Sequence, residues 1–232
     1  LSFTTADVIA PTLSSSSPAD NATAVAVGSN IILNFSEAVD VETGNITIKK
    51  TSDNSTVETI AVGSSQVTGT GTTQIIINPS ADLDSETQYY VQIDATAFDD
   101  DAGNSYAGIS DTTTLSFTTA DIIAPVITGP SGSAGDATAT ASIEENTRVV
   151  HYFTANEMVT WSIAGGADQD QFSIASNGAL SFKTSPNYDN ADDTNQDNAY
   201  IVIVRATDAA GLNSDQTVTI SVTDAVYELT EY

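Results

Sequence analysis

The chain has 232 residues, with 31 acidic side chains against five basic ones, one histidine, no cysteine and a formal net charge of −26. So few cations cannot serve a phosphate backbone, which excludes nucleic acid as a partner, and no disulfide can staple the fold. No run approaches the roughly 20 apolar residues of a membrane-spanning helix, so membrane insertion is not expected.

The acidity is even. Residues 1–121 hold 16 acids and two lysines, and residues 122–232 hold 15 acids and three bases. This is not an acidic tail on a neutral domain. Two outcomes suit so much carboxylate: a solvated surface, or neutralisation by bound cations.

In chain order, the first signal is a repeat. Leu1–Pro11, LSFTTADVIAP, returns at Leu115–Pro125 as LSFTTADIIAP, 114 positions later. That spacing is the size of one β-sandwich plus a linker. It predicts that residues 1–7 close a preceding repeat, that the chain is a slice of a longer array, and that neighbouring repeats of the same chain are its first partners.

Short alternating runs of β-branched and aromatic residues follow, and no window shows a helical period. In the first half they predict strands at Asn30–Phe35, Gly44–Lys50, Thr56–Val62, Thr72–Asn78, Gln88–Ala95 and Thr113–Thr118. Turn chemistry separates them at Pro18–Asn21, Ser52–Asn54, Gly69–Gly71 and Asp101–Gly103. In the second half the predicted strands are Ala137–Ile143, Arg148–Phe153, Val159–Ala164, Leu180–Lys183, Tyr200–Ala206 and Thr217–Thr223. Between the halves, Ala120–Pro130 carries Pro125 and Pro130 and no Gly/Ser tract, which predicts a stiff junction. The expected class is all-β, two tandem Greek-key β-sandwiches.

The segments DVIAPTLSSSSPADNATAVAVGSNIILNFSEAV and YYVQIDATAFDDDAGNSYAGISDTTTLSFTTAD resemble bacterial Ig-like repeats of large surface and secreted proteins, over about Asp7–Asp121. The segments VHYFTANEMVTWSIAGGADQDQFSIASNGALSF and YIVIVRATDAAG…VTISVTDA resemble a bacterial cadherin-like domain, over about Ile122–Ala225. The domains expected are therefore 1–7, the tail of a preceding repeat; 8–121, Ig-like; 122–227, cadherin-like; and 228–232, the start of the next linker.

The cadherin resemblance implies calcium (Ca2+), with ligands at both ends of the domain. Its DxD motif matches Asp168-Gln-Asp170, its AxD aspartate matches Asp208, and Asp121 is what remains of the linker before the domain. Its Glu-Asn motif matches Glu145-Asn146, its DxE motif is altered to Asn187-Tyr-Asp189, and Asp224 stands in the following linker. Asp121, Asp168, Asp170 and Asp208 are thereby expected to meet at the junction, with Glu145, Asp189 and Asp224 at the other end. Asp99–Asp101 either adds a ligand from the first module, closes a local ion loop, or is a turn.

A second candidate rests on spacing alone. Asp193, Asn195 and Asp197 place oxygens at alternating positions, like the first half of an EF-hand loop. The glutamate expected at position 12 is replaced by Val204, so Asp189 or Asp192 would have to substitute. The same stretch also reads as ordinary turn aspartates.

Catalytic groups are scarce. There is no cysteine nucleophile and no GxSxG elbow, and the lone His151 sits inside a strand, where packing explains it. Trp161 reads as sandwich core. The chain is thus expected to be no enzyme but a calcium-rigidified extender of an extracellular bacterial adhesin, cell-surface or secreted. Two other readings remain open. One is a module that binds a surface glycan or protein through Tyr188, Tyr200 and Tyr227. The other is a spacer of an extracellular hydrolase.

Overall fold

The computed structural model describes residues 5–225. Residues 1–4, where the repeat begins, and 226–232, which include Tyr227, lie outside the described residues. The chain divides into two compact units, Leu1–Ile122 and Ile123–Tyr232.

The first unit contains β1 (Leu13–Ser17), β2 (Ala22–Val25), β3 (Ile31–Val41), β4 (Asn45–Lys50), β5 (Thr56–Ala61), β6 (Val67–Thr68), β7 (Thr72–Ile77), β8 (Gln88–Ile93), β9 (Phe98–Asp99) and β10 (Ser116–Thr119). One sheet has the order β1-β3-β7-β6, with β9 also on β3; the other has β2-β10-β8-β4-β5. Alternation builds the core between them. Ile31, Leu33 and Phe35 of β3 face Ile46 and Ile48 of β4, all in one buried cluster with Tyr89, Phe98 and Phe117.

The second unit contains β11 (Ile127–Thr128), β12 (Thr138–Glu144), β13 (Val149–Tyr152), β14 (Thr154–Ala155), β15 (Thr160–Gly165), β16 (Phe172–Ile174), β17 (Ala179–Phe182), β18 (Ala199–Thr207) and β19 (Asn213–Thr223). The sheet β12-β19-β18-β15 lies over β13-β17-β16, and β11 pairs with β14. Tyr200, Val202, Val204 and Ala206 alternate inward from β18, against Val218, Ile220 and Val222 of β19. The only helical element among the described residues is the single 3-10 turn Gln169–Gln171.

Several strand limits differ from the sequence expectation, each for a local reason. The strand predicted from Thr113 starts at Ser116, because the N–H groups of Thr113 and Thr114 both bond Asp111 Oδ1 at 2.7 Å and form a turn. β19 starts at Asn213 rather than Thr217, held open-ended by Arg205, whose guanidinium grips Asp215 with two bonds of 2.7 Å. β1 was not predicted, since LSSSS carries no apolar alternation and owes its strand form to pairing with β3. Part of the predicted linker Ala120–Pro130 is β11, whose Ile127 is buried in the second core.

Candidate metal centre

β15 and β18 run antiparallel, from Thr160↔Thr207 to Gly165↔Ile203. Whatever precedes β15 therefore shares an end of the sandwich with whatever follows β18. Glu157 and Asp208 occupy those two places, and a carboxylate oxygen of each lies within 4.8 Å of the other. Asn156 fixes the loop by accepting the Val126 N–H at 2.6 Å.

Asp208 heads a tight hairpin. Its N–H donates to Leu212 O at 3.0 Å, and the Leu212 N–H donates back to its Oδ1 at 2.9 Å. Gly211, at φ +87, supplies the left-handed residue this return needs. Asp208 is 8 % exposed, yet its Oδ2 is buried with no hydrogen-bond donor among the described residues. A buried carboxylate oxygen facing nothing, with a second carboxylate alongside, is a costly arrangement unless a cation completes it.

The other end of β18 is built differently. Asp168 and Asp170 follow β15 and so are not brought to Asp208. Asp168 Oδ2 accepts the Ile201 N–H at 2.8 Å, and Ile201 is seven residues, or about 23 Å of extended strand, from Asp208. Its Oδ1 accepts the Thr194 N–H at 2.7 Å and the Thr194 hydroxyl at 2.8 Å. Gly166 (φ +108) makes this approach possible: a Cβ there would stand 2.4 Å from Ile201 O. Burial works to raise the Asp168 pKa, but the Ile201 and Thr194 N–H groups and the Thr194 hydroxyl outweigh it and hold the carboxyl below its usual range. Asp170 lies in the 3-10 turn, where Lys183 Nζ donates to its backbone carbonyl at 2.9 Å.

Asp193 is also buried and turned onto its own loop. Its two oxygens take the N–H groups of Asp197 (3.0 Å) and Asn198 (3.1 Å). Asp197 accepts Asn195 Nδ2 at 2.8 Å and the Ala199 N–H at 2.9 Å. The alternating oxygens of this segment thus hold a turn together.

Glu145 stands at the same end. Its Oε2 accepts the Tyr188 N–H at 3.0 Å and its Oε1 the Ala225 N–H at 3.4 Å. It therefore gathers the Asn187–Asp189 corner and the segment of Asp224. Asp189 donates its N–H to Asn187 Oδ1 at 2.9 Å.

In the first unit, Asp121 Oδ1 accepts the Ser85 hydroxyl at 3.1 Å. Of the acidic run, Asp99 ends β9 and Asp101 begins a turn; Asp100 between them points inward, its Oδ1 accepting the N–H groups of Ala102 (2.9 Å) and Asn104 (2.7 Å). Asp7, Glu37 and Asp100 bring carboxylate oxygens within 4.8 Å of one another, but both Asp100 oxygens already have donors, Asn104 Nδ2 holding Oδ2 at 2.8 Å.

The remaining candidates are structural. His151 packs edge-on against Phe153, with ring centroids 5.2 Å apart, and burial pushes its pKa down. Trp161 packs on the second core. Tyr200 is buried, its hydroxyl accepting the Asp192 N–H at 3.2 Å, so it cannot form the binding platform expected with Tyr188. Sequence reasoning missed Glu157. The available signal was topological: Asn156–Met158 joins two predicted strands at the end where Asp208 must lie.

Residues 7–119 match the bacterial Ig-like domain family Big_5. No curated protein matches the chain. Among solved structures, the chain is similar to the extracellular cadherin domains 1–4 of protocadherin gamma B7 (16 % identity, TM-score 0.43), covering 93 % of this chain and 51 % of that one. It is similar to mouse cadherin-23 EC22–24 (15 %, TM-score 0.40; 89 % and 63 % covered) and to Drosophila N-cadherin EC1–3 (16 %, TM-score 0.37; 93 % and 68 % covered). The chain thus spans about half the length of the protocadherin fragment. Among the described residues, no helix is long and apolar enough to cross a membrane. The first unit is thus similar to a bacterial Ig-like domain, and the described residues are all-β apart from the one 3-10 turn.

Proposed function

We propose that the chain is a non-catalytic, calcium-rigidified extender segment of a bacterial surface or secreted adhesin, working outside the cell in adhesion. Calcium takes six to eight oxygen ligands, largely carboxylates and carbonyls. Asp208 and Glu157 would supply the first of them, with Asp121 as the linker ligand that the cadherin resemblance implies. Glu145, Asp189 and Asp224 would serve the opposite end. Asp168, Asp193 and Asp197 would act as scaffolding, their hydrogen bonds to backbone N–H groups standing in for an ion, and Asp170 would remain a candidate ligand at the end of Asp168. The single observation that carries this reading is the buried, donorless Oδ2 of Asp208 beside a second carboxylate.

Neutralising those acids would relieve their repulsion and tie the linker segment to the end of the second module, so that tandem sandwiches behave as a spacer rather than as beads on a string. Tension and reach, not chemistry, would then be what the segment supplies.

Melting curves in calcium, in magnesium and in chelator test the reading. Calcium should raise the melting temperature of the second module. Magnesium should do so far less, since it demands tight octahedral geometry and sheds water reluctantly. Asp208→Asn should remove most of the calcium gain. A full response in that variant would refute the assignment of the site.

A further inference from the structure

From the strand pairing within each unit, we infer that the chain yields to end-to-end tension in a fixed order: the Ig-like module opens first and the second module holds. The inference goes beyond the calcium reading and does not need it.

In both units the final strand lies parallel to an early one, β10 against β2 and β19 against β12. Tension enters through the start of the early strand and leaves through the end of the last. Two parallel neighbours loaded in this way are dragged lengthwise past each other. Their hydrogen bonds share the load and must fail together, whereas bonds at a peeling end fail one at a time. Resistance therefore grows with the length of unbroken ladder.

The two ladders are unequal. β12 and β19 stay in register through seven consecutive pairs, Thr138↔Thr217 to Glu144↔Thr223. Bonds at both ends extend them, Thr217 N–H to Ala137 O and Glu145 N–H to Thr223 O, each 2.9 Å. β2 and β10 make two pairs, Phe117↔Ala22 and Thr119↔Val25, with a register shift between them. The bonds Asn21 N–H to Ser116 O and Ala120 N–H to Val25 O, both 2.7 Å, flank that short ladder.

The strands behind the clamps repeat the contrast. β19 is anchored on its far side by nine pairs with β18, and β10 by three with β8. β1 adds four pairs with β3 in the first unit, but a bulge between Leu13 and Ser15 interrupts them. Among the end strands β1, β2 and β10 of the first unit, the longest ladder is thus a broken one of four pairs, against an unbroken seven between β12 and β19 in the second. An array built this way lengthens under overload by giving up one module while the next keeps the chain folded and attached.

Single-molecule stretching of the whole chain, tethered by its two ends in chelator, tests this. Two opening events are expected. The one at lower force should release the longer contour, because β1–β10 spans about ten residues more than β11–β19, up to ~36 Å of extended chain. A disulfide made by Thr140→Cys with Thr219→Cys, a register pair of the β12–β19 ladder, should shorten the higher-force release and leave the lower-force event unchanged. Ala141→Pro removes a donor from the middle of the same ladder, since the bonds at Ala137 and Glu145 put the β12 donors at odd-numbered positions. With its fold checked by melting, this variant should drop the shorter-contour event to or below the force of the other. Random order, or the shorter contour released first in the unmodified chain, would overturn the inference. So would an Ala141→Pro chain that folds and resists as before. Repeating the traces in calcium reads the proposed metal role separately.

Discussion

Asp168 and Asp208 are 5 % and 8 % exposed, flank opposite ends of β18, and differ in what meets their carboxylates. Three donors, from Thr194 and Ile201, surround Asp168, whereas Asp208 has the Leu212 N–H on one oxygen and, among the described residues, no hydrogen-bond donor on the other. The first is a finished structural joint that closes two loops onto a strand. The second has an unmet acceptor and a carboxylate neighbour in Glu157. Burial alone does not distinguish a ligand from a staple; the inventory of donors does.

The largest effect expected from this contrast is on folding. Asp168→Ala leaves the Ile201 and Thr194 N–H groups without their acceptor and should lower the stability of the second module by about 3 kcal/mol. The loss should be the same in calcium and in chelator, as read by urea unfolding. A calcium-dependent loss would move Asp168 from the staples to the ligands.

Acid should reveal the same joint. Although burial opposes ionisation of Asp168, its three donors leave the folded-state pKa depressed. The stability it contributes is therefore fully present above the unfolded-state value of about 3.9 and fades as pH falls through the lower folded-state value. Unfolding free energies measured across that range should decline less steeply in Asp168→Asn than in the unaltered chain.

The smallest effect is expected at the opposite end. In chelator, Asp208→Asn should change stability by less than about 1 kcal/mol, because the amide oxygen can still accept the Leu212 N–H and a repulsive charge beside Glu157 is gone. A large loss without calcium would mean that Oδ2 has a structural partner.

Much of the fold was legible in the chain, because AYIVIVRA and TVTISV bury every second residue and leave one pairing register for β18 and β19. The Ser-rich β1 was not, since its strand form depends on β3 rather than on its own pattern. The candidate site was legible in residue type but not in grouping. Asp168 and Asp208 each follow a strand of one antiparallel pair, β15 and β18, so they had to fall at opposite ends. Motif spacing along the chain cannot express that, and strand order can. The same reasoning assigns Glu157, which precedes β15, to the end of Asp208. The alternating oxygens of Asp193–Asp197 carried the composition of an ion loop, but backbone N–H groups satisfy both Asp193 oxygens and Asp197 Oδ1, the Asn195 amide takes Asp197 Oδ2, and no spacing rule separates those two uses of aspartate.

The most direct test of the calcium reading follows backbone amide resonances of the whole chain during a calcium titration. Asn156–Met158 and Asp208–Leu212 should shift together and saturate, and Asp208→Asn should abolish those shifts. Calcium-induced shifts confined to the loops of Asp168 and Asp193, with Asp208–Leu212 unmoved, would contradict it.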